Sequence, residues 1–173
     1  MTISLYDATV TSFLQTLGAV QGFLDKGAAH CKDKGTDPNA LVEARLIETM
    51  LPLRFQVLSV EHHSVGAIEG VKKGVFSPST DMPPLDYAGL QKVIADAKAT
   101  LLKYTPAEVN ALEGRDMLFQ FKDMKMPFTA EGFLLSFSTP NLHFHATTAY
   151  DILRTNGVPL GKRDYLGALR MKT

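Results

Sequence analysis

Tryptophan is absent, and cysteine occurs once, at Cys31, in 173 residues. A single thiol excludes an intrachain disulfide, so packing and hydrogen bonds must hold the fold. Asp33 and three nearby lysines leave Cys31 open to exposure, or it is a small, buried, inert group. An excess of either charge is missing too, with 18 basic against 18 acidic side chains. That balance argues against nucleic acid or an anionic membrane as a partner engaged through bulk charge. No apolar run reaches the roughly 20 residues of a membrane span. The opening "MTISLYDATVTSFLQ" lacks the charged and apolar regions of a signal peptide. A soluble, reduced, cytoplasmic protein is the expectation. Hydrolase elbows of the G-x-S-x-G type are missing, as are paired carboxylates and Cys–His spacings.

What is present is helical periodicity. One domain over 1–173 is expected, and a chain of this length buries about 70% of its unfolded surface. Ser4 with Asp7 opens the first helix, on which Val10, Phe13, Leu14, Leu17, Val20 and Leu24 recur at helical spacing. Gly18 and Gly22 are candidates for close helix approach, and the helix should stop before "KDKGTDPN". Pro38 restarts the chain. From Asn39 to about Lys72 two apolar stripes run side by side. One is Leu41, Ala44, Leu51, Phe55, Leu58, His62 and Val65. The other is Val42, Leu46, Met50, Leu53, Val57, Val60, Ala67 and Val71. They stay in phase across Pro52, which predicts a kinked helix rather than two.

"GVFSPSTDMPPLD" is a long connection, followed by a third helix capped by Asp86 and a short one capped by Thr105 with Glu108. "DMLFQFKDMKMPFT" predicts a β-hairpin, Met117–Phe121 and Lys125–Phe128, turning at Lys122-Asp123. Thr129 caps a further helix that Pro140 interrupts. The last long helix then ends at Asn156-Gly157.

Histidines are the chemically suggestive residues. His145 shares a helix face with Leu142, Ala149 and Ile152, so it points where the core points. His143 lies about 200° round the axis, with Thr147, Tyr150 and Arg154. Two histidines at i and i+2 cannot grip one ion from a regular helix. "GVPLGK" lacks the spacing and the Ser or Thr of a phosphate loop, so Lys162 is not expected to bind a nucleotide. The basic residues Lys162, Arg163, Arg170 and Lys172 read as a solvated tail.

"FHATTAYDILRTNGVPLGKRDYLG", with "ARLIETMLPLRFQV" and "FTAEGFLLSFSTPN", resembles a family of small uncharacterised proteins of bacteria and fungi, a domain of unknown function. That family is grouped with the DinB/YfiT-like helical bundles, and the resemblance covers nearly the whole chain. It implies a four-helix bundle with a long crossover between helices 2 and 3, which "GVFSPSTDMPPLD" would supply; with the small β-hairpin read above, before the last helices, the expected fold is mainly α. The superfamily is described as candidate metal-dependent enzymes, some of them hydrolases or thiol transferases. Their metal is held by one His of the second helix and an H-x-x-x-H pair on the last. Here that implies His62 or His63 with His145, while Asn141 and Ala149 stand at the i±4 positions. Zinc or nickel would be the metal of such a site, but the incomplete triad predicts none held tightly.

The reading is therefore a pocket between helices 2 and 4, lined by His62 or His63, Asn141, His145 and Tyr150. A small molecule bound without a metal is the first expectation, with an imidazole of near-neutral pKa available for acid–base work. A divalent-metal enzyme is the second, and a structural or dimerisation module without an active site the third. A homodimer is expected, since such bundles commonly pair and the two stripes exceed one core seam.

Overall fold

The computed structural model describes residues 3–79 and 82–172. Four long helical segments make a bundle. The first is α1 (Leu5–Ala8) running into α2 (Val10–Lys34), with Ser4 accepting from the Asp7 N–H at the cap. The helix continues past the expected stop to Gly35, whose left-handed φ of 67° lets its N–H reach back to the Cys31 and Lys32 carbonyls. Cys31 is buried.

The second segment corrects the expectation of one kinked helix over 39–72. A 3-10 turn at Pro38–Leu41 leads into a loop, and α3 (Leu53–Glu61) starts only after Pro52. Proline disfavours helical geometry in the residue before it, so Leu51 cannot carry the helix through. Pro52 is the extended N-cap instead. The loop folds back over the helix start: Leu53 N–H donates to Ala44 O at 2.9 Å, and Arg54 N–H to Val42 O at 3.0 Å. Those bonds satisfy amides that a helix start leaves unpaired. Leu46 and Leu51 are consequently exposed rather than part of a stripe, and Ile47 beside them is exposed too. The segment continues through a wide π-helical turn (His62–Gly66) into α4 (Ala67–Lys73) and stops at Gly74, φ 77°.

The crossover comes next. Thr80 and Asp81, within it, lie outside the described residues, as do Met1, Thr2 and Thr173. α5 (Tyr87–Leu101) begins at Asp86, which accepts from Gly89 N–H, and α6 (Pro106–Asn110) carries the Thr105–Glu108 capping box. The crossover contributes a strand that the sequence did not announce, β1 (Val75–Phe76). The hairpin is β2 (Asp116–Phe121) and β3 (Met124–Thr129), antiparallel, with Lys122 at φ 53° in the turn. β1 runs parallel to β2, with Phe76 opposite Phe119.

The fourth segment is α7 (Ala130–Phe133), a second π-helical turn (Leu134–Ser138) and α8 (Thr139–Thr155), closed by Gly157 at φ 89°. Pro140 does not interrupt it. Proline's ring would clash with the carbonyl four residues back, and the turn ahead of it widens to avoid this. Thr139 N–H reaches Leu134 O, five residues away, and its Oγ1 donates to the same oxygen at 2.8 Å.

α2 packs against α5 and α8, and α3 packs against the same two from the other side. The centre is Phe13, Leu17, Phe23, Leu24, Leu53, Ile68, Leu90, Ile94 and Phe133. Close approach of α2 and α5 is set by Gly27, not by Gly18 or Gly22. A Cβ on Gly27 would lie 2.2 Å from Tyr87 Oη, whereas nothing lies within 4 Å of the other two positions. A last short helix, α9 (Lys162–Leu166), folds against α2.

Candidate functional site

The second stripe of the long segment, Leu53, Val57, Val60, Ala67 and Val71, fills the core. From the first stripe, Phe55, Leu58 and His62 stay half-buried and line a cavity instead. The cavity measures about 330 Å³. Its other walls come from His63 in the first π turn, Phe76 on β1, Phe119 on β2, Phe137 in the second π turn and His145 on α8. Met82 and Pro83 of the crossover complete it. The parallel pairing of β1 with β2 is what brings Phe76 and Phe119 together, with centroids 6.4 Å apart.

Both π turns serve the site. Each inserts one residue into a helix and rotates the residues beyond it. In the first, His63 becomes buried, and in the second Ser138 does. The two meet across the bundle, His63 Nδ1 lying 3.3 Å from Ser138 Oγ. Gly66 belongs to this geometry, because a Cβ there would sit 3.0 Å from His62 Nδ1.

His145 is held by a residue that no sequence motif marks. Gln56, buried at 2% exposure, donates its Nε2 to Leu51 O at 2.8 Å. That fixes its amide, so Oε1 is the acceptor that meets His145 Nδ1 at 2.8 Å. Nδ1 of His145 therefore carries the proton, and its Nε2 keeps a lone pair. Among the described residues nothing bonds that Nε2. The clue in the sequence was a polar line, Gln56, Ser59 and His63, at i, i+3 and i+7 beside the apolar stripe of Leu53, Val57 and Val60.

The His63 and His145 rings stack 5.7 Å apart at 13°. Burial pushes His145 down to about 4. It pushes His63 down to about 3, helped by the neighbouring His145 and His62. The near-neutral imidazole expected from sequence is thus corrected, since desolvation disfavours the cation. His62 is lowered as well by burial, though its Nε2–H donates to Ser77 O at 2.8 Å. Glu61, also lining the cavity, is raised by burial.

Of the residues named from sequence, His62, His63, Asn141 and His145 come together here. Asn141 spends its amide on Phe137 O at 2.8 Å. Tyr150 does not join them. It is buried on another face of α8, against Phe23 and Tyr165, and accepts from Arg154. The reason is angular: five positions beyond His145 is about 140° round the helix. His143 is exposed and meets Tyr165 Oη at 3.3 Å. Lys162 is the exposed first residue of α9, with Gly161 as its N-cap.

The family model described as "Domain of unknown function (DUF1993)" matches residues 5–166. The chain belongs to this family. No curated protein matches it. Among solved structures, the DUF1993 chain is similar to a DinB family member protein from Shewanella denitrificans, seen in a crystal structure at 1.83 Å resolution. The two share 30% identity, with 98% of this chain and 95% of that one covered and a TM-score of 0.80. The DUF1993 chain therefore has a DinB-like, mainly helical fold.

A divalent ion of the kind implied for DinB-like bundles needs a converging set of donors, commonly three from the protein. In the DUF1993 chain His62 donates Nε2–H to Ser77 O, Asn141 donates Nδ2–H to Phe137 O, and Ala149 has no donor atom. Among the described residues no group of three His, Cys, Asp or Glu side chains converges. The side chains present do not make the three-ligand set. No helix of the described residues is long and apolar enough to cross a membrane.

Proposed function

We propose that the protein binds a small organic molecule in the cavity between α3 and α8 without a tightly held metal. The observation that carries this reading is the fixed tautomer of His145. A buried Gln56–Leu51 relay aims an unprotonated, unshared Nε2 from an aromatic wall. The cavity's volume lies at the lower end of small-molecule sites, which are mostly apolar with a few placed polar groups. His145 is a better acceptor than base, because a group near 4 lies far from the operating pH that general-base catalysis favours.

A divalent-metal enzyme of hydrolase or thiol-transferase type is the second reading. It is favoured by one observation, two neutral imidazoles 5.7 Å apart, since metals bind the deprotonated ring. Metal content, measured on protein purified without a histidine tag and mildly dialysed, separates the two. The expected result is no stoichiometric zinc, nickel or iron. Near-unit metal that His145→Ala abolishes would replace the first reading with the second. The third reading, a module without an active site, gains support if no small molecule perturbs the His63 and His145 ring resonances.

Homodimerisation and a cytoplasmic location belong to the same proposal. Exposed Leu46, Ile47 and Leu51 in the loop before α3 supply the apolar surface for pairing. Balanced charge speaks against nucleic-acid and membrane partners.

A further inference from the structure

Given the binding reading proposed for the cavity, on which the inference rests, its walls define a class of ligand. Phe55, Phe76, Phe119 and Phe137 surround the space with ring faces and edges, which suit a flat π system in stacked or edge contact. An engineered cavity of about 150 Å³ holds one benzene, so 330 Å³ has room for two fused rings and a substituent. The charged groups on the wall are few and of one kind. Glu61 is the acidic one, and among the described residues no lysine or arginine lines the space. Arg54, from the same helix, is not a lining residue: its guanidinium bonds Glu43 and the Met82 and Pro83 carbonyls. An anionic ligand would lose its hydration and find no cation in return. His145 cannot provide a donor to an anion either, since its ring proton sits on Nδ1 facing Gln56.

Set in this largely apolar wall, which among the described residues holds no lysine or arginine, is the acceptor His145 Nε2, whose tautomer is fixed. His145 Nε2 cannot donate, because Gln56 holds the ring proton on Nδ1. A ligand group facing it must bring a hydrogen. A buried acceptor left without one costs about 1–3 kcal/mol, so the cavity discriminates in favour of a donor.

We infer that the cavity takes a neutral, planar aryl compound of about two fused rings carrying one O–H or N–H donor, which hydrogen-bonds to His145 Nε2.

Three probes of one shape test this: 2-naphthol, naphthalene and 2-naphthoate, titrated at pH 7.5 by fluorescence and by ¹⁵N-histidine NMR. Naphthol should bind about fivefold or more tighter than naphthalene. It should also move the His145 Nε2 resonance, and naphthoate should bind at least tenfold more weakly. In His145→Leu the ratio of naphthol to naphthalene affinity should fall to about one. The ranking in wild type decides the matter even if that variant folds poorly. Naphthoate binding as tightly as naphthol would overturn the ligand class and leave the cavity reading standing. Naphthol and naphthalene binding equally, with Nε2 unmoved, would overturn the role of His145. If none of the three binds and no cavity histidine shifts, both the class and the binding reading fail.

Discussion

The Nδ1–H of His145 donates to Gln56 Oε1 at 2.8 Å, joining residues 89 positions apart. This bond ties α8 to α3 at the cavity wall and selects which nitrogen faces a ligand. A histidine whose other nitrogen is so held behaves as an oriented acceptor rather than a freely switching donor and acceptor.

Replacing that acceptor should free the ring. In Gln56→Leu, His145 should populate both tautomers, visible as averaged ¹⁵N ring shifts. Stability to urea should fall by about 1–3 kcal/mol, because a buried donor and the Leu51 carbonyl lose their partners. An unchanged tautomer would show that Gln56 does not orient the ring.

Acid should destabilise the protein earlier than carboxylate protonation requires. The folded pKa values of His63 and His145 lie at about 3 and about 4, below the unfolded value near 6.5. Above pH 6.5 both states are neutral and the histidines add no pH dependence. Between about 6.5 and 4 the unfolded chain binds protons that the folded chain refuses, so stability drops as pH falls. The slope approaches roughly 1.4 kcal/mol per pH unit for each histidine. Urea midpoints at pH 7.5, 6 and 5 measure it, and His63→Gln should flatten the slope. An equal slope in that variant would contradict the burial of a neutral ring.

Arg54 holds the crossover over the cavity through the Met82 and Pro83 carbonyls. Arg54→Ala should weaken 2-naphthol binding about threefold to tenfold by loosening that wall, since each charge-assisted hydrogen bond contributes on the order of 1.5 kcal/mol or more. The His145 tautomer should stay as it is. Unaltered affinity would mean that the crossover is held by other contacts.

Gly27→Ala should cost about 1–3 kcal/mol through overpacking against Tyr87, whose hydroxyl donates to Leu24 O at 2.8 Å. Gly22→Ala, with open space at its Cβ, should be neutral or stabilising. Thermal melts of the pair check the contrast.

A homodimer predicts a light-scattering mass near twice the 18.9 kDa chain at micromolar protein. Ile47→Glu should return it to monomer. A monomer in the wild type would remove the dimer from the proposal.

Local chemistry was legible in the chain. Asp86, Thr105 and Thr129 cap helices because their oxygens reach amides three residues on, and that geometry needs no tertiary partner. The hairpin turn at Lys122-Asp123 and the inward side of His145 come equally from period and turn chemistry. Pro52 and Pro140 were not separable by that reasoning. Each breaks the helical hydrogen-bond pattern, but one meets a loop that folds back on Ala44 and Val42, and the other a turn that can widen by a residue. The two π turns then moved His63 and Ser138 into register, a shift that a period of 3.6 cannot express. Only packing across the bundle decided that Gln56 orients His145 and that β1 carries Phe76 beside Phe119. Those contacts join segments distant in sequence, and their energy exists only once the helices have closed around a shared space.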